Sequence, residues 1–72
     1  MTFNPDACAD LVLNAFHNVE NWQQAHEPED VQPMRDDIRT GLAAVLRAIA
    51  ETSSPAAAFE LGLLADEMEP AR

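Results

Sequence analysis

Apolar residues recur along this 72-residue chain at steps of three and four, and prolines divide the pattern into three segments. Such steps place side chains on one side of an α-helix, whereas no segment alternates apolar and polar residues long enough to predict a strand. Proline is tolerated in the first turn of a helix and disfavoured further in, so it marks helix starts. We therefore expect one all-α domain over residues 1–72, a three-helix unit with two long antiparallel helices and a shorter third.

The first helix is predicted over about residues 5–24. Asn4 can serve as the N-cap, Pro5 suits the first helical position, and Asp6 complements the helix dipole. The side that should face the core consists of residues at three- and four-residue steps, with two more at its edge: Cys8, Val12, Ala15, Val19 and Trp22, then Leu11 and Phe16. Leu13 lies off this stripe, and we expect it to project toward a second surface.

The second helix is predicted over about residues 31–51, with Asp30 as N-cap and Pro33 in the first turn. Its apolar stripe is the most regular in the chain: Val31, Met34, Ile38, Leu42, Val45, Leu46 and Ile49. Gly41 shares this side, although a glycine inside a helix costs about 1 kcal/mol relative to alanine. We expect a neighbouring helix to approach closely at Gly41.

The third helix is predicted over about residues 55–68, with Ser54 as N-cap and Pro55 at the first position. It is apolar on two sides, which are formed respectively by Ala57, Leu61, Leu64 and Met68 and by Phe59 and Leu63. One side can face the core of the chain, so the other needs a second neighbour. This pattern predicts self-association.

The composition also favours self-association. Without alanine, Cys8 and Met1, 19 large apolar side chains remain to form a core. A chain of this length buries only about 60% of its unfolded surface, and one cysteine cannot form an internal disulfide. We therefore expect a dimeric helical bundle whose interface is formed by apolar residues of the first and third helices: Leu13, Phe59, Leu61, Leu63, Leu64 and Met68.

Thirteen acidic residues against four arginines, without any lysine, give a formal net charge of −9. Such a charge repels nucleic-acid phosphates and anionic lipids, so we expect no direct nucleic-acid binding and no membrane association. No apolar run approaches about 20 residues, and residues 1–6 lack the basic start and apolar stretch of a secretory signal. A single cysteine suits a reducing compartment, so the predicted location is cytoplasmic.

Two groups of residues have metal-ligand chemistry. His17 and Glu20 stand three apart, as in di-iron helical bundles, but their order is reversed and His17 lies opposite the apolar stripe. The connection between the first two helices contains a denser set of ligand types: His26, Glu27, Glu29 and Asp30. No spacing of a recognised metal site is matched, so solvated surface residues are the favoured interpretation, and no cofactor is predicted.

Candidate nucleophiles have simpler explanations in this sequence. Cys8 belongs to the apolar stripe, where a free cysteine behaves as a small hydrophobic residue. Ser53 and Ser54 stand at the predicted start of a helix, where a serine caps the backbone, and no histidine is near them in sequence. No phosphate-binding loop, dinucleotide fingerprint or zinc-protease motif is present, so we expect no enzymatic activity and no catalytic residues.

These patterns favour a non-catalytic protein–protein interaction module. Such a module would act as an adaptor, a regulator or an inhibitor of a basic partner, in the manner of small bacterial or phage proteins. Its carboxylates could also mimic a nucleic acid in a cationic site. The alternative is a helical bundle that binds a metal or small ligand through His17, Glu20, His26 and nearby carboxylates.

Overall fold

The computed structural model describes residues 3–70, and these residues form three α-helices and one short 3₁₀ helix without any strand. α1 spans Pro5–His17, the 3₁₀ helix spans Trp22–Ala25, α2 spans Pro28–Glu51, and α3 spans Pro55–Met68. The prediction of an all-α, three-helix chain is confirmed. Of the predicted domain at 1–72, residues Met1, Thr2, Ala71 and Arg72 lie outside the described part. Within residues 3–70, no helix combines the length and apolarity that a membrane crossing needs.

α1 begins as predicted and ends seven residues early. The Asn4 side chain accepts a hydrogen bond from the backbone N–H of Ala7 at 3.1 Å, so its N-cap role is confirmed. The helix stops at His17 because Asn18 adopts the left-handed conformation, with φ 55° and ψ 46°. Asparagine is the residue that most readily replaces glycine in this helix-ending position. The predicted helix over 5–24 is therefore wrong beyond His17, and only one of the helices in residues 3–70 is long.

The side of α1 that faces the core also differs from the prediction. Leu13 is only 4% exposed, whereas Leu11 and Phe16 are 71% and 82% exposed. The expectation that Leu13 projects away from the core is therefore wrong. The rotation follows from two carboxylates one helical turn apart, Asp6 and Asp10, which lie on the same side as Leu13 and pair with arginines of α2.

α2 begins at Pro28, three residues before its predicted start. Its N-cap is Glu27, which makes no side-chain capping bond, and Asp30 lies in the first turn, where it complements the helix dipole. Pro33 lies inside the helix and offers no N–H to the carbonyl of Glu29. The helix continues over 24 residues, or about 36 Å, and both α1 and α3 pack against it.

α3 has its predicted bounds, and the Ser54 side chain accepts from the N–H of Ala57 at 3.4 Å. α3 packs on the C-terminal half of α2, where Ala43, Ala65 and Met68 form the buried cluster. α1 runs antiparallel to the N-terminal half of α2. Because α1 and α3 cover different halves of one helix, the molecule is elongated, with extents of 41 × 27 × 24 Å.

Gly41 lies in the interior of α2 and is exposed. A Cβ atom built at Gly41 would meet no atom within 4 Å. Within residues 3–70 no neighbouring helix approaches Gly41, so the predicted close approach is wrong for the described chain. α1 pairs with α2 through Arg35 and Arg39, and α3 packs against Ala43, so neither helix lies over Gly41.

Candidate interaction surface

Asp10 is the polar centre that joins α1, the 3₁₀ helix and α2. Its two carboxylate oxygens accept from Arg35, Nε at 2.8 Å and Nη2 at 3.0 Å, in a bidentate pair. They also accept from the buried Trp22 indole Nε1 at 3.0 Å and from Gln23 Nε2 at 3.2 Å. The hydrogen bond from Arg35 is the main reason that the pKa of Asp10 lies below its usual value. This network fixes the rotation of α1 about its own axis relative to α2.

Arg39 joins α3 to the other two helices. Its Nε donates to the carbonyl of Met68 at 2.9 Å, and its Nη2 donates to the carbonyls of Glu67 and Glu69 at 3.3 and 3.2 Å. These carbonyls lie at the end of α3, where the backbone acceptors have no partner within the helix. Arg39 Nη1 also donates to Asp6 of α1 at 3.2 Å.

Arg47 completes this set of cationic contacts along α2. Its guanidinium pairs with Asp66 at 3.0 Å and with Glu69, both near the end of α3. Together the arginines of residues 3–70 pair with five of the thirteen carboxylates, namely Asp6, Asp10, Asp36, Asp66 and Glu69. The other eight make no such pair and leave the surface strongly acidic.

The described surface is also rich in large apolar side chains. Nine of the 19 are exposed, namely Phe3, Leu11, Val12, Phe16, Val19, Val45, Ile49, Phe59 and Leu63. Only three of the 19, Leu13, Trp22 and Met68, are buried. A globular surface normally carries single exposed apolar residues, whereas here each α-helix presents a pair spaced by four. These apolar pairs are Val12–Phe16 on α1, Val45–Ile49 on α2 and Phe59–Leu63 on α3.

The structure keeps part of the predicted interface on the surface. Phe59 and Leu63 are exposed, as the two-sided pattern of α3 indicated. Leu61 and Leu64 are half-buried, and Met68 lies in the core together with Leu13. Two of the six predicted interface residues, Phe59 and Leu63, are thus exposed.

The sequence reasoning missed the exposed pairs on α1 and α2, because it assigned Val12, Phe16, Val45 and Ile49 to the core. The spacing of the charged residues could have predicted which side of α1 faces α2. Asp6 and Asp10 are four apart, as are Arg35 and Arg39, so two antiparallel helices can match them pair for pair. That match orients α1 with Val12 and Phe16 outward.

The candidate metal ligands, interpreted from the sequence as solvated surface residues, do not form a cluster in the described part of the chain. Within residues 3–70, no group of three or more histidine, cysteine, aspartate or glutamate side chains is placed to hold a metal ion. The rings of His17 and His26 do approach each other, with centroids 5.5 Å apart. His26 is held by a contact of 3.0 Å between its Nδ1 and the backbone oxygen of Trp22. Glu20 lies beyond the end of α1, so it is not one helical turn from His17.

The described residues also enclose no pocket. Cys8 packs against the buried cluster of α2 and α3, and Ser54 caps α3. Comparison with models of protein families, with curated proteins and with solved structures found no match for this chain. The apolar pairs, set among carboxylates that no arginine of residues 3–70 pairs with, are therefore the features from which a function can be inferred.

Proposed function

We propose that the protein is a non-catalytic protein–protein interaction module that works as a homodimer and binds a basic partner. The observation that carries this proposal is the exposure of nine of the 19 large apolar side chains. Burial of apolar surface contributes about 25 cal/mol per Å², and a core of this size is marginal on its own. A partner that covers the apolar pairs would add the missing stabilisation.

The charge of the chain supports a basic partner. A body carrying a net charge of −9 attracts a cationic protein surface and accelerates the encounter with it. The module would then serve as an adaptor, a regulator or an inhibitor. Nucleic-acid mimicry is the subtype in which carboxylates occupy a cationic nucleic-acid site. A cytoplasmic location belongs to the same proposal, because the free Cys8 is stable as a thiol in a reducing compartment.

Sedimentation equilibrium over a range of protein concentrations tests self-association. We expect the apparent mass to rise above the monomer mass of 7.9 kDa as the concentration increases. The thermal midpoint should rise with it, because assembly stabilises the folded state by mass action. A mass of 7.9 kDa at every concentration, with a constant midpoint, would refute the homodimer.

Photo-crosslinking in the source cell tests the basic partner. A photoreactive phenylalanine analogue in place of Phe59 should give a covalent adduct with a protein of basic surface. The same analogue in place of Gln24, which is exposed on the 3₁₀ helix, serves as the control. The purified partner should bind less tightly at high salt and to the Leu63→Ser variant. Equal crosslinking from both positions would contradict the proposed partner surface.

A further inference from the structure

The two histidines of the chain, His17 and His26, lie side by side although they stand nine positions apart in the sequence. Asn18 ends α1 in the left-handed conformation, and the 3₁₀ helix then brings the chain back against α1. The side chain of Asn14 in α1 accepts from the backbone N–H of Trp22 at 2.7 Å, and this hydrogen bond holds the returning segment. The approach of the two rings is therefore supported by the backbone between them.

His26 is held in the orientation that metal-binding histidines commonly have. Its Nδ1 lies 3.0 Å from the backbone oxygen of Trp22. A carbonyl oxygen only accepts hydrogen bonds, so Nδ1 carries the proton in this contact and a neutral ring has its lone pair on Nε2. Histidines that bind a metal usually donate their other ring N–H to a carbonyl or carboxylate in this way. Within residues 3–70 the Nε2 of His26 makes no hydrogen bond, so it is available as a ligand.

The distance between the two rings fits two ligands of one ion. Zinc lies about 2.0–2.1 Å from a histidine nitrogen, and the ring centre lies about 1.1 Å behind that nitrogen, so two imidazoles at a tetrahedral angle have centres roughly 5.2 Å apart. The observed separation of the centroids is 5.5 Å, and the ring planes are inclined by 58° rather than stacked face to face. His17 is exposed at the last residue of α1, so its ring has room to turn a nitrogen toward the ion.

We propose that His17 and His26 together bind a divalent transition-metal ion, for which Zn²⁺ is the probe. Imidazole nitrogens suit zinc, copper and nickel, whereas magnesium and calcium prefer oxygen ligands. Water fills the other coordination positions, because no group of three or more ligand side chains occurs among residues 3–70. The net charge of −9 draws cations toward the protein surface and favours their binding.

The bound ion would join the end of α1 to the 3₁₀ helix. His17 is the last residue of α1, and His26 directly follows the 3₁₀ helix, so one ion on both rings closes the segment between them. The unfolded chain does not hold the two histidines together, so the ion binds the folded chain more tightly and stabilises it by mass action. This site requires neither self-association nor a basic partner.

Isothermal titration calorimetry with ZnCl₂, on protein without an affinity tag, tests the site. We expect one zinc ion per chain. His17→Ala and His26→Ala should each weaken zinc binding by about tenfold or more, because each removes one of the two protein ligands. The side chain of His17 is exposed, so its loss should leave the fold intact, which circular dichroism checks.

Three controls separate the histidine pair from other ligands. Cys8→Ser should leave the zinc Kd unchanged, although a thiolate is also a zinc ligand. Glu29→Gln, which removes an exposed carboxylate at the start of α2, should leave it unchanged as well. Magnesium chloride is the control ion, and His17→Ala should not alter its effect, since magnesium prefers oxygen ligands.

The fluorescence of Trp22 reports whether the ion lies at the histidines. Trp22 is the sole tryptophan of the chain, and its ring centroid lies 5.2 Å from that of His26. Cu²⁺ quenches a nearby indole, so it should quench the wild type and should require about tenfold or more copper to quench His17→Ala equally.

Two results would overturn the proposed site. One is a wild-type chain that does not bind zinc. The other is a double variant, His17→Ala with His26→Ala, that binds zinc as tightly as the wild type and is quenched equally by Cu²⁺. That result would place the ion among the surface carboxylates.

Discussion

At the scale of single residues, Asp10 holds the N-terminal half of the molecule together. Removal of its carboxylate leaves the buried Trp22 indole and the Arg35 guanidinium without their acceptor. We expect Asp10→Ala to lower the free energy of unfolding by about 1–3 kcal/mol, as loss of hydrogen bonds to a charged group does. Urea denaturation followed by circular dichroism measures the change. Asp37→Ala, at an exposed carboxylate, is the control and should stay within about 0.5 kcal/mol; equal effects would contradict a special role for Asp10.

The same residue predicts a specific response to acid. Because the pKa of Asp10 is lowered in the folded chain, mainly by the hydrogen bond from Arg35, its stabilising effect is complete above the ordinary carboxyl pKa of 3.8. It is lost as the pH falls through the lower, folded-state pKa. Thermal unfolding of the wild type and of Asp10→Asn should therefore differ by a constant amount from about pH 5 to 7, and the difference should begin to shrink as the pH falls below about 3.8. A difference that persists unchanged in strong acid would show that the charge of Asp10 contributes little.

At the scale of the helices, Arg39 should matter more than Arg47 although both contact the end of α3. Arg39 donates to three backbone carbonyls and to Asp6, whereas Arg47 pairs with carboxylates at the exposed surface. We expect Arg39→Ala to cost about 1–3 kcal/mol and Arg47→Ala to cost clearly less, because solvent screens the ion pairs of Arg47. Hydrogen exchange should show faster exchange in the last turn of α3 only for Arg39→Ala. Equal losses in both variants would mean that the carbonyl contacts add nothing.

The bounds of α3 could be predicted because Ser54 and Pro55 act on the backbone next to them. The rotation of α1 could not, because apolar residues occur on two of its sides and periodicity alone cannot choose between them. The pairing of Asp10 with Arg35, which lies 25 residues away in the sequence, determines which side of α1 faces α2. The exposure of the α3 pair followed from the sequence, but the exposure of Val45 and Ile49 did not, since it depends on where α1 and α3 pack along α2.

At the scale of the whole molecule, charge opposes compaction. Only five of the thirteen carboxylates pair with the described arginines, so like-charge repulsion at neutral pH should dominate. Sodium chloride at moderate concentration should therefore raise the thermal midpoint by screening. A midpoint that falls with salt would show that the ion pairs outweigh the repulsion. Magnesium chloride at equal ionic strength is the comparison. A larger rise in the thermal midpoint with magnesium than with sodium would favour the metal-binding alternative.

The end-to-end arrangement of α1 and α3 along α2 has a consequence for how the chain opens. Each short helix stabilises a different half of α2, and the two halves meet at Arg39, which touches both helices. Loss of α1 would remove Cys8 from the edge of the buried cluster but leave its three members, Ala43, Ala65 and Met68, in place. We therefore expect α1 to open at a lower free energy than global unfolding, which hydrogen exchange measures.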